Sequence, residues 1–155
     1  MTLTRTPSQT VGPFFSIGLT RRVQNELVPG ATVLSGQLLD GEGAPIVDGL
    51  IELWDGRHWG RCGTDADGRF SFVVAKPSAE AGAPHLDVLV FARGLLRHQR
   101  TRVYFPDESA ANGADPVLSA LGEAERATLV AVDENDTLRF DIRMQGDRAT
   151  VFFAH

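Results

Sequence analysis

A single cysteine, Cys62, stands in 155 residues, so neither an intramolecular disulfide nor a cysteine-rich zinc cluster can form within the chain. Cys62 reads as a structural thiol. No run of eighteen or more apolar residues is present, which argues against a membrane-crossing helix. The first twenty residues lack the basic, then apolar, then small-residue order of a secretion signal, and a cytoplasmic protein is the expectation. Positive charge is also scarce: 15 Lys and Arg stand against 20 Asp and Glu, a formal charge of −5, whereas a nucleic-acid binder usually presents a basic face. No phosphate loop or dinucleotide fingerprint occurs between a strand and a helix, and none of the serines sits in a nucleophile elbow. Small molecules and other proteins are the partners that remain.

What is present is a composition that is 43% hydrophobic, enough for one domain over 1–155 that buries a core without staples. Residues 1–30 keep neither a helical nor a strand period and carry Pro7, Gly12, Pro13, Gly18, Pro29 and Gly30, which reads as an extended arm. Val11, Phe14, Phe15, Ile17 and Leu19 are too apolar for a solvated tail, so the arm must lie on its own body or on a neighbour. From residue 31 onward, short strands alternate with turn residues, the pattern of an all-β sandwich. Strands are expected at 32–39, 50–54, 69–74, 86–92 and 102–105. Leu138, Phe140, Ile142 and Met144 alternate with Arg139, Asp141 and Arg143, giving a strand with one wet face. One short peripheral helix is expected over 116–127, with Asp115 as its cap and Pro116 at its first position.

Four features carry candidate chemistry. Asp65-Ala66-Asp67-Gly68 opens like a calcium loop, but Lys76 stands where the last ligand belongs, so it reads as a turn. His85 and Asp87 are two apart on a strand and face the same way; they are either structural or a two-ligand pair. Arg93, where a strand meets a turn in Phe91-Ala92-Arg93-Gly94, is either a surface cation or a reader of carboxylates, for which its fork of donors is suited. In Thr6-Pro7-Ser8-Gln9-Thr10-Val11-Gly12-Pro13-Phe14-Phe15, Gly12 removes bulk so that a ligand or backbone can approach, and Pro13 stiffens the chain beside it.

Together these strings, with Leu50-Ile51-Glu52-Leu53-Trp54-Asp55, Gly63-Thr64-Asp65, Ala83-Pro84-His85, Thr101 to Phe105, Arg139 to Gly146 and Thr150 to Phe153, resemble the intradiol ring-cleaving dioxygenases over nearly the whole chain. The likeness is greatest to the α-type chains, which pair with a homologous iron-bearing β-type chain. Iron-bearing members hold Fe(III) with two tyrosines and two histidines. Here Tyr104 is the only tyrosine and lies in a strand string, and His85-Leu86-Asp87 takes the place of a His-x-His motif. The stretches 54–60 and 76–82, which should supply the tyrosines, hold none, and the stretch after Trp54 is shortened.

The resemblance therefore implies a chain without a metal site, inactive alone, whose Fe(III) is held by a partner β subunit. It implies protocatechuate (3,4-dihydroxybenzoate) and O2 as substrates, 3-carboxy-cis,cis-muconate as product, a place in aromatic catabolism, and an oligomer of several αβ units. Its substrate-binding positions fall on Thr10, Gly12, Pro13, Phe14 and Arg93, with Phe14 where relatives carry a tyrosine. The arm and Phe152-Phe153 are the expected partner contacts. Two alternatives remain: a non-enzymatic β-sandwich binding module, and a lone dioxygenase whose rearranged site uses His85 and Asp87.

Overall fold

The computed structural model describes residues 4–12, 14–20, 23–78 and 82–154. Two sheets face each other. One has the order β4 (Arg69–Val74), β1 (Thr32–Leu39), β8 (Thr137–Arg139), β7 (Val132–Glu134), with β9 (Ile142–Arg143) also pairing β1. The other runs β3 (Trp59–Gly63), β2 (Leu50–Trp54), β5 (His85–Phe91), β6 (Gln99–Tyr104), antiparallel throughout. Alternation decides which side chains enter the sandwich: along β4 Phe70, Phe72 and Val74 are buried, and along β5 Leu86, Val88 and Val90. With Leu34, Leu38, Ile51, Leu53, Val103, Leu138, Phe140 and Ile142 they form the main core. Each such side chain contributes about 1.5–3 kcal/mol by leaving water.

The alternating strand expected near the C-terminus is there, in two pieces. Both β8 and β9 run parallel to β1 in a single register, Ser35 opposite Arg139 and Leu38 opposite Ile142. Between them the backbone of Phe140 closes on Gly36, where a Cβ would lie 1.8 Å from the Phe140 carbonyl oxygen. Only glycine admits that approach.

β3 escapes the sequence reading because Gly60, Arg61 and Gly63 dilute its apolar pattern. It forms by hairpin pairing with β2, and Gly60 admits Leu27, whose Cδ1 would stand 2.2 Å from a Cβ there. The helix expected over 116–127 is two: α3 (Pro116–Ser119) and α4 (Glu123–Ala127). Asp115 and Pro116 start α3 as expected, but Ala120 and Leu121 tighten to i−3 bonds and Gly122 takes an extended conformation, so the helix restarts. Two further short helices, α1 (Phe14–Leu19) and α2 (Ser109–Ala114), are present. A second core of Ala83, Tyr104, Leu118 and Leu129 sits beneath α2–α4. No helix of the described residues is long and apolar enough to cross a membrane.

Candidate functional site

β5 is the axis on which the candidate residues separate. Its seven residues span about 20 Å, with His85 and Asp87 at one end and Phe91, followed by Arg93, at the other. The chemistry read from sequence thus lies at two poles.

At the Arg93 pole the arm meets the body. The Thr10 hydroxyl accepts a hydrogen bond of 2.8 Å from the Gly94 backbone N–H. Gly94 has φ +86°, a left-handed conformation that suits glycine and turns the chain directly after Arg93. Arg93 Nε forms an ion pair with Asp48 Oδ2, on the connection between β1 and β2. Thr10 and Arg93 are therefore brought together, through Gly94. Gly12 is exposed and, among the described residues beyond its chain neighbours, no atom lies within 4 Å of a Cβ placed on it, so none of these requires its small size. Phe14 opens α1 and is 79% exposed; α1 buries none of its residues. Pro13 lies outside the described residues. A shallow pocket of about 430 Å³ lies under the arm, with Gln9, Val11, Phe91, Leu95 and Leu96 among its lining.

At the opposite pole, the described parts of the stretches 54–60 and 76–82 come together with His85 and Asp87. A cleft of about 650 Å³ is bounded by Trp54 and the 55–58 turn, by Ala75 to Ser78, and by Ala83 to His85 with Asp87. Its donors are committed elsewhere. Asp55 accepts from the backbone N–H groups of Arg57 and His58 and from His58 Nδ1 at 2.8 Å. Burial pushes the Asp55 carboxyl up, but these bonds outweigh it and hold the group below the usual range. Asp87 is bridged by Arg100 at 3.1 Å and Arg102 at 3.3 Å. His85 Nδ1 lies 2.8 Å from the Ala83 carbonyl oxygen and its ring rests on Tyr104. Tyr104 is fully buried, with its hydroxyl donating to Asp115, and is absent from the cleft wall. Among the described residues no group of three His, Cys, Asp or Glu side chains is placed to hold a metal ion. A hard Fe(III) ion is matched by anionic oxygen donors, and this donor set does not fit one.

No protein-family model matches the chain. It is 39% identical to the protocatechuate 3,4-dioxygenase alpha chain of Burkholderia cepacia, with 98% of each chain covered, and 36% identical to that of Pseudomonas putida, with 97% and 96% covered. The chain belongs to the protocatechuate 3,4-dioxygenase alpha-chain family. The Burkholderia alignment runs over 193 positions against 155 residues here, so this relative has internal segments that the present family member lacks. Trp54 and Trp59 are joined by a four-residue turn, Asp55 to His58. The protocatechuate 3,4-dioxygenase beta chain of B. cepacia is 29% identical over 76% of this chain and 66% of its own length. In fold, the chain is similar to the dioxygenase domain of a dioxygenase and carbohydrate-binding fusion from Streptomyces sp. SirexAA-E, with TM-score 0.63, 22% identity and coverage of 92% and 99%.

Two expectations change with the geometry. Phe152 and Phe153 do not lack cover: Phe152 packs on the main core and Phe153 on the second, with Arg102 over its ring at 5.5 Å. Both rings stay partly exposed, so their own body covers them only in part. His85 and Asp87 are engaged separately, Asp87 with the guanidinium groups of Arg100 and Arg102 and His85 with the Ala83 carbonyl oxygen. Sequence reasoning missed Asp48, whose Val47-Asp48-Gly49 context reads only as a turn.

Proposed function

We propose that this chain is the α subunit of a protocatechuate 3,4-dioxygenase, paired with a homologous β subunit that holds Fe(III). The iron supplies catecholate binding and O2 activation when the assembly is complete. The α chain supplies a wall of the pocket: Thr10, Gly12, Pro13 and Phe14 from the arm, and Arg93 toward the carboxylate of 3,4-dihydroxybenzoate. The observation that carries this reading is the exposed arm. Phe14, Ile17 and Val23 are 79%, 57% and 88% exposed, and together with Leu19 they give one segment of the chain an apolar surface that its own body leaves uncovered. Apolar surface concentrated in this way marks an interaction site. The near full-length likeness to alpha chains, and the weaker likeness to a beta chain, name the kind of partner.

Co-expression with the homologous β-type chain, followed by purification through a tag on one of them, tests the proposal. A complex containing iron, with ring cleavage in the complex and none in this chain alone, is the expected result. Chains that do not associate, or cleavage by this chain alone, would reject it.

Gly12 gives a sharper test of where the arm is used. Among the described residues beyond its chain neighbours nothing crowds a methyl group at this position, and Gly12 does not adopt the left-handed conformation. Gly12→Ala should leave the melting of the purified chain within about 2 °C, since exposed changes away from special features cost under ~0.5 kcal/mol. In the assembly the same methyl group meets substrate or partner, and the overpacking of ~1–3 kcal/mol should raise KM or weaken pairing by about tenfold. An equal effect on both would place Gly12 in the body.

A further inference from the structure

We infer that Asp48 is a positioning residue for Arg93, fixing the guanidinium so that its two terminal nitrogens face the substrate carboxylate. This rests on the reading of Arg93 given above. The closest contact of the ion pair is made by Arg93 Nε, the side-chain nitrogen nearest the backbone, and among the described residues neither Nη1 nor Nη2 forms a hydrogen bond, so both can serve the parallel pair of bonds that a carboxylate accepts. The two partners differ in burial: the Arg93 side chain is 57% exposed and that of Asp48 17%. Asp48 Oδ2 itself is out of contact with solvent and, among the described residues, meets only Arg93, as an ion pair without an aligned hydrogen bond.

That asymmetry decides between two roles for Asp48. A competitor would occupy the fork and have to release it when substrate arrives. Release would leave a buried carboxylate oxygen without any partner, which is among the more costly changes a protein can undergo. A holder keeps its bond while the exposed end of the guanidinium binds. Backbone geometry adds to the holding: the Gly94 N–H bonded to Thr10 fixes the turn that follows Arg93, while the Thr10 hydroxyl donates a long bond of 3.5 Å to the Val11 carbonyl. Asp48, the 93–94 turn and the arm thus form one bracket around a single cation.

The test uses the assembled αβ enzyme with protocatechuate and with catechol, which has no carboxylate, comparing Asp48→Asn, Asp48→Glu, Arg93→Ala and the double variant Asp48→Asn with Arg93→Ala. Asp48→Asn should raise KM for protocatechuate by about three- to tenfold with kcat nearly constant, lowering the selectivity for protocatechuate over catechol. Asp48→Glu should restore part of that selectivity, and the double variant should be no worse than Arg93→Ala alone, as expected when one residue acts through the other. If Asp48→Asn lowers KM, Asp48 is a competitor and the inference is wrong. If Arg93→Ala impairs selectivity while Asp48→Asn does not, the inference fails and the reading of Arg93 stands. If Arg93→Ala changes nothing, both fall.

Discussion

Replacing Arg93 by Ala in the assembled enzyme is expected to raise KM for protocatechuate by about tenfold to a hundredfold, with little change in kcat. Hydrogen bonds to a charged group contribute about 1.5–3 kcal/mol, and each 1.4 kcal/mol is a factor of ten in binding. The lower end is favoured because the Arg93 side chain is 57% exposed, which screens the interaction. A contact made equally in ground and transition states appears in KM and not in kcat. Raising the salt concentration should narrow the gap between wild type and variant, and Arg93→Lys, which keeps the charge but loses the fork, should fall between them. Steady-state kinetics at two ionic strengths checks each point. The variant also deprives Asp48 Oδ2 of its partner, so a loss of about 1–3 kcal/mol in stability is expected alongside, read by denaturant unfolding.

The sandwich was legible in the sequence wherever one rule acted alone. Phe70, Phe72 and Val74 alternate with Arg69, Ser71 and Val73, and burial follows that alternation. The cap at Asp115, the proline beside it and the turn built on Asp65 likewise follow from local chemistry, Asp65 Oδ1 accepting from the N–H groups of Asp67 and Arg69. Elements defined by their neighbours were not legible. β3 depends on β2 for its register and on Leu27 for the use of Gly60, and nothing in Trp59-Gly60-Arg61-Cys62-Gly63 announces either. The β7–β8 turn, with Asn135 and Asp136 at φ 52° and 70°, was visible only as polar residues.

At the site the same division holds. The expectation that this chain lacks an iron-bearing member's ligands rests on counting tyrosines. That the three depleted stretches share one cleft, and that Asp87 is claimed by two arginines, required the pairing of β2 with β5 and of β5 with β6. Asp48 was invisible because its partner is 45 positions away in the chain, and no local pattern encodes that meeting.

The largest loss of stability is expected at Asp115, where Asp115→Ala should cost about 3–5 kcal/mol, a large part of the 5–15 kcal/mol typical of a domain. The side chain is all but inaccessible and accepts from Ala83 N–H at 2.9 Å, Val117 N–H at 2.9 Å, Leu118 N–H at 3.1 Å and the Tyr104 hydroxyl at 3.3 Å. Losing a helix cap costs about 1 kcal/mol, and each buried donor left without a partner about 1–3 kcal/mol. Asp115→Asn should be intermediate: one oxygen still caps α3, while an amide NH2 would confront the Ala83 N–H. Acid unfolding follows from the same contacts. Burial raises the Asp115 carboxyl, but the N–H groups of Ala83, Leu118 and Val117 and the Tyr104 hydroxyl prevail and hold it below its ordinary 3.8. Because the folded value is the lower one, this stabilisation is complete well above pH 3.8 and is lost as pH falls through the folded value. Urea unfolding of wild type and Asp115→Ala at pH 7, 4 and 3 should give curves that converge toward acid. A gap that stays constant across that range would mean that the carboxylate charge contributes nothing there.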